Sequence, residues 1–120
     1  MVTPGKYSIW FKTPIGEGSG IAELFADGRM EGFDSTFTST GTWSVKDGIL
    51  HAKISAKRTE AGPPGVFGLG IDEVDMTVTE YARDGDCVKC SVFANQAPGL
   101  RMEATMVRIS GDTRGGALRG

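Results

Sequence analysis

Residues 41–57, Gly-Thr-Trp-Ser-Val-Lys-Asp-Gly-Ile-Leu-His-Ala-Lys-Ile-Ser-Ala-Lys, decide the fold class. After Asp47-Gly48, the residues Leu50, Ala52, Ile54 and Ala56 alternate with Ile49, His51 and Lys53. A period of two marks a half-buried strand. Before the Asp-Gly, Trp43 and Val45 share one parity in a shorter run, Gly41 to Val45. Asp-Gly between two such runs is a hairpin signal, so the two strands are antiparallel neighbours.

The same pattern extends in both directions. Towards the N-terminus, Tyr7, Ile9 and Phe11 alternate with Lys6, Ser8 and Lys12, and Trp10 lies on the second face. Thr13-Pro14-Ile15-Gly16 turns the chain into a strand from Gly18 to Phe25. Asp27-Gly28 predicts a type I′ turn, which needs φ > 0 at both central residues. A short strand, Arg29 to Asp34, leads into a Ser/Thr-rich connection over 35–40. Towards the C-terminus, residues 58–71 hold Gly62-Pro63-Pro64-Gly65 and read as a surface loop, with one helical turn near Ile71-Asp72-Glu73. Strands follow at Val74–Glu80, Cys87–Ala94 and Leu100–Ile109, separated by Asp84-Gly85 and by Gln96-Ala97-Pro98-Gly99. Eight meandering strands leave two exposed edges unless the sheet closes. The expected fold is therefore all-β: an eight-stranded antiparallel up-and-down β-barrel over 1–110, with 111–120 a tail. A two-sheet sandwich is the alternative.

Composition agrees. Glycine makes up 18 of 120 residues, too many for a mostly helical chain, where each interior glycine costs about 1 kcal/mol relative to alanine. A net charge of −2 gives no bulk attraction for nucleic acid. No stretch approaches the roughly 18 apolar residues of a spanning helix, and Met1–Gly5 shows no signal-peptide pattern, so membrane insertion is not expected and a cytoplasmic location is.

The chemistry-bearing residues point away from catalysis. Cys87 and Cys90 are three apart in a strand, roughly 10 Å, too far for a disulfide and on opposite faces. Zinc would need two further ligands, and His51 is the single histidine, on an outward position beside Lys53. Gly16-Glu17-Gly18-Ser19-Gly20 lacks the helix a phosphate loop requires. Asp72, Glu73 and Asp75 read as a solvated rim, with acidic docking or calcium as alternatives, and Asp34 reads as a turn or cap residue, with ligand binding as the alternative. No catalytic residue, metal site or cofactor is predicted.

The parity of the strands names an interior: Tyr7, Ile9 and Phe11, then Leu24, Trp43, Leu50 and Ile54, then Met76, Val78, Val92, Met102 and Met106. Small residues share it, among them Ala22, Gly32, Ala52, Cys90 and Ala104, and methionines adapt to irregular apolar guests. These residues, with Arg108, are candidate ligand contacts, and a void is expected near Trp43. Closure makes the first and last strands neighbours, so Arg108 can cover the ring of Tyr7 as a cation–π pair and plug one end. Trp10, Ile21, Phe25 and Phe33 point outward on adjacent strands and form a candidate interface for self-association.

Gly5-x-Tyr7-Ser8, Gly16-Glu17-Gly18-x-Gly20, Asp27-Gly28, Gly32-x-Asp34-Ser35, Gly41-x-Trp43 and Gln96-Ala97-Pro98-Gly99…Glu103-Ala104…Arg108-Ile109, in that order, resemble the GrlR family of bacterial proteins. The namesake is a negative regulator of type III secretion. The resemblance covers roughly residues 3–110 and implies a calycin-like (lipocalin-like) barrel, a homodimer, an apolar interior and regulation by contact with a protein partner. In the family that contact uses an acidic run in the turn before the fifth strand. Here the turn is Val45-Lys46-Asp47-Gly48, with one acid. A non-enzymatic regulatory or adaptor barrel is the first expectation, and a carrier or sensor of a small, lipid-like hydrophobic molecule the second.

Overall fold

The structure, a computed structural model, describes residues 2–34, 36–59 and 73–110. They form β1 (Gly5–Thr13), β2 (Gly16–Leu24), β3 (Arg29–Asp34), β4 (Phe37–Lys46), β5 (Ile49–Arg58), β6 (Glu73–Asp84), β7 (Cys87–Ala94) and β8 (Met102–Ser110). Each strand pairs antiparallel with its sequence neighbour, and β1 pairs with β8, so the sheet closes into a barrel in meander order. Closure removes both edges, which an alternating sequence of this length would otherwise expose. The described residues contain no helix, and so none long and apolar enough to cross a membrane. The tail over 111–120 and the helical turn expected at Ile71-Asp72 lie outside the described residues, while Glu73 begins β6.

The turns follow their residues. At Asp47-Gly48 both φ values are positive, 55° and 79°, as a type I′ turn requires. Asp27-Gly28 departs from the expected I′ geometry. Among the described residues Asp27 keeps a negative φ, the Gly28 N–H donates to the Phe25 carbonyl at 3.1 Å, and the Phe25 N–H donates to the Arg29 carbonyl at 2.9 Å. This is the longer hairpin loop, a type I turn closed by a left-handed glycine. It also changes the place of Phe25. That residue opens the turn instead of ending β2, so it no longer follows the strand's outward parity. It is buried (6% exposed), with the Arg29 guanidinium 4.7 Å above its ring. Phe25 therefore leaves the predicted outer interface.

Residues 37–40, expected in a connection, are the first four of β4. Thr38 and Thr40 face solvent while Phe37 is buried, and β-branched threonines suit a pleated, half-buried surface. Asp34 ends β3 as a cap: its Oδ1 accepts the N–H groups of Thr36 (2.6 Å) and Phe37 (2.7 Å).

Curvature has a local cause on β2 and β4. A Cβ at Gly41 would run into the Lys53 carbonyl oxygen and lie 2.9 Å from the Ile54 Cα, its partner on β5. A Cβ at Gly20 would collide with the Phe33 carbonyl oxygen and the Asp34 Cβ. Both glycines stand at inward positions, where the missing side chain lets neighbouring backbones approach and the sheet bend towards closure.

Candidate functional site

The interior divides into a packed end and a hollow middle. At the packed end lie the start of β1, the end of β8 and the turns 25–28, 47–48 and 85–86. The register places Tyr7 beside Arg108, as closure predicts. Their contact differs from the expected cation–π pair. The Arg108 Nη2 donates to the Pro4 carbonyl (2.9 Å), its Nε is buried with no acceptor, and the Tyr7 hydroxyl donates to the Thr3 carbonyl (2.6 Å). Each side chain thus pins the incoming N-terminal segment rather than its partner. The Trp43 indole N–H donates to the Phe25 carbonyl (2.8 Å), which ties the ring to the 25–28 turn.

A feature with no signal in the sequence completes this end. Glu80 pairs with Cys90, but Ala82 pairs with Lys89, so Tyr81 is an extra residue, a β-bulge. Beyond it the parity of β6 flips, and Arg83 joins Glu80 on the inner face opposite Val88. Arg83 donates through Nε to the Glu80 Oε2 (2.9 Å), and through Nη2 to Oε1 (2.8 Å) and to the Gly48 carbonyl (3.2 Å). The Leu50 N–H donates to the same Oε1 at 3.0 Å. The hydrogen bonds from Arg83 hold the Glu80 carboxyl below the usual carboxylate range, against the opposing effect of its own burial. Nearby, Cys90 is fully buried, and burial, helped by the Glu80 charge, pushes its thiol up to about 12. Such a thiol is not a nucleophile at neutral pH. Both cysteines are free, and Cys90 Sγ lies 3.9 Å from Met106 Sδ.

Above this plug is a cavity of about 70 Å³. Of the predicted interior residues, Ile9, Phe11, Leu24, Leu50, Ile54, Met76, Val78, Val92, Met102 and Met106 line it, together with Ala22, Ala52, Ala104 and Met30. Tyr7, Trp43 and Arg108 do not; they belong to the packed end, so the void is not beside Trp43. All four methionines beyond Met1 line the cavity. Two polar residues on the inward parity of their strands stand in its lining, Asp34 and Ser39. Asp34 caps its turn as expected and also stands in the lining, a place that its inward parity two residues after Gly32 signals.

The outer surface carries a second candidate. Trp10 (59% exposed) and Phe33 (62%) are exposed as expected, and Ile21 is half-buried. The register sets Val107, Ser8, Ile21 and Phe33 in one row across β8, β1, β2 and β3. Val107 and Ile109 take the place that Phe25 was expected to fill: 41% and 56% exposed, on the strand that closes onto β1. Ile21, Gly32, Phe33 and Ser39 border both the cavity and an outer groove, so the wall there is one backbone thick. His51 stands on the outer parity of β5 and does not line the cavity. Glu73 forms an exposed ion pair with Lys57 (3.6 Å), and Asp75 accepts from the Ser55 hydroxyl (2.7 Å); Asp72 lies outside the described residues. Among the described residues no cluster of His, Cys, Asp or Glu is arranged to hold a metal ion.

No family model matches the chain, and no curated protein matches it. Among solved structures it is similar to a redesigned β-barrel, mFAP1, bound to DFHBI. The TM-score is 0.61 and the identity 15%, over 88% of this chain and 94% of that one. At that identity the likeness is one of fold.

Proposed function

We propose that the barrel binds a small apolar molecule in its interior and performs no chemistry on it. The observation that carries this reading is the cavity itself. Its wall is apolar, its small members (Ala22, Ala52, Ala104) leave the space, and its methionines can reshape it. Water needs two to four polar partners, and away from the edge marked by Asp34 and Ser39 the wall offers none, so that part of the space stays dry or takes an apolar guest. The redesigned barrel of similar fold is itself bound to a small molecule, DFHBI. The test is toluene binding, read as a rise in melting temperature. The wild type gains stability as toluene is added, and Ala104→Phe, which fills the space, gains none. Equal responses from both proteins, or none from either, would exclude the interior as the site.

A regulatory or adaptor role by protein contact, in a bacterial cytoplasm, is the second reading. The resemblance to the GrlR family suggests it, and the exposed row of Val107, Ile21 and Phe33 with Trp10 favours it. Contiguous apolar surface marks interfaces. In this reading the face also joins two copies of the chain, and Phe33→Glu yields monomers on a sizing column where the wild type elutes as a dimer. Wild-type protein eluting as a monomer would remove the dimer from this reading.

A further inference from the structure

We infer that the cavity selects apolar molecules carrying one hydrogen-bond donor, protonated amines foremost, and rejects carboxylates. This rests on the reading of the interior as a ligand site and names what that site prefers.

Two polar residues, Asp34 and Ser39, interrupt the apolar lining. Asp34 Oδ1 is occupied by the N–H groups of Thr36 and Phe37. Among the described residues its other oxygen, Oδ2, has no hydrogen-bond or ion-pair partner, and neither does the Ser39 hydroxyl. At the packed end Glu80 has Arg83 and the Leu50 N–H, and Tyr7 has Thr3, while the Arg108 Nε is buried without an acceptor. The unmatched pair is also brought together by the fold. Gly32 lies opposite Ser39, and Asp34 is the next inward residue on β3, so the two side chains are diagonal neighbours on adjacent strands. Diagonal neighbours are close enough for one small group to bridge them.

Charge decides what that group is. A carboxylate and a hydroxyl together accept hydrogen bonds, and an ammonium donor adds a coulombic attraction to the carboxylate that a neutral donor lacks. An ammonium group therefore suits the pair better than a hydroxyl does. A ligand carboxylate would meet a like charge, and no cation lines the cavity to offset it. The inward cation at that end of β5, Arg58, is opposite Phe37 and outside the lining. Asp34 and Ser39 are both half-buried, so an ammonium held there keeps part of its hydration while its apolar body lies inside.

Size sets the other limit. An engineered cavity of about 150 Å³ admits benzene; this one is about 70 Å³. The body is thus a short alkyl chain, or a ring for which methionine side chains move aside.

The experiment uses protein with 13C-labelled methionine methyl groups, because Met30, Met76, Met102 and Met106 all report on the cavity. The probes are n-butylamine, 1-butanol, butyrate and toluene. The expected order is butylamine, then butanol, with butyrate at least about tenfold weaker than the amine. Asp34→Asn keeps an acceptor oxygen for the Thr36 and Phe37 N–H groups and removes the charge. In it the preference for butylamine over toluene falls about tenfold. Butyrate binding as tightly as butylamine, or an unchanged preference in Asp34→Asn, overturns the inference while the ligand cavity stands. If toluene as well leaves all four methyl signals in place, the ligand cavity itself is wrong and the inference falls with it.

Discussion

The two halves of the barrel interior differ in where their polar groups find partners: at the packed end most are met within the protein, the buried Arg108 Nε excepted, while the pair at the cavity is half-open to solvent. At the packed end the Glu80 carboxylate, the Arg83 guanidinium, the Tyr7 hydroxyl and the Trp43 indole each reach a partner within the protein. In the hollow middle the Asp34 Oδ2 and the Ser39 hydroxyl reach none among the described residues. Side-chain volume divides the same way. Tyr7, Trp43, Arg83 and Arg108 fill the plug, whereas alanines and methionines surround the cavity. Matched polar groups in a filled region specify a fold, because an unmatched one would cost about 1–3 kcal/mol. Asp34 and Ser39 are half-buried, so water meets them when no ligand is present, and a donor on a guest can replace that water. The packed end is thus the structural half, and the cavity is the half available for binding.

That division is broken most severely at the packed end. Phe25→Ala should cost about 3–5 kcal/mol, the usual loss for a buried phenylalanine. Chemical denaturation measures it. A loss under about 1 kcal/mol would return Phe25 to the surface role its sequence position suggests.

Next in size is the buried ion pair. Glu80→Ala should cost about 3 kcal/mol, between an exposed pair and a fully buried one, because it strands Arg83 and the Leu50 N–H. It also has a pH signature. The Glu80 carboxyl is held below its usual value of 4.5 in the folded protein, so its contribution is complete above that value and is lost as pH falls through the folded one. The stability gap between wild type and Glu80→Gln should be flat from pH 7 to about 5 and should close in more acid solution. A gap that widens in acid would show that Glu80 is protonated when paired.

A smaller effect belongs to curvature. Gly41→Ala should cost about 1–3 kcal/mol by pushing β4 off β5, a strain that Gly16→Ala, in open space, does not share. The smallest stability change is expected in the cavity. Ala104→Leu adds only a short branched chain to the void, so it should shift stability by less than about 1 kcal/mol while abolishing toluene binding. A loss of about 1–3 kcal/mol there would mean an interior already full.

Most of the barrel was legible because strand alternation and Asp-Gly turns are local signals. Leu50, Ala52, Ile54 and Ala56 declare their face without reference to any other strand, and closure follows from the number of strands and the short links between them. Three features were not local. The strand over 37–40 is polar on its outer face and was mistaken for a link, since threonine serves both. Phe25 changed face because its hairpin closes one residue earlier than the Asp-Gly pair suggests. The bulge at Tyr81 adds a residue within a run that reads as continuous alternation, and only pairing with Cys90 and Lys89 exposes it. The cavity was half legible. Small and flexible inward residues were visible, but the layer in which they meet depends on the stagger between strands, which placed Trp43 below the void and Asp34 at its edge.

The central claim is that the methionine-lined middle of the barrel is empty, dry and open to an apolar guest. A crystal structure under pressurised xenon tests it most directly, since xenon enters apolar voids without needing a polar anchor. The account predicts a xenon peak between Met76, Met106 and Ala104 in the wild type and none in Ala104→Phe. A wild-type interior without xenon, or one filled by ordered water, would contradict it.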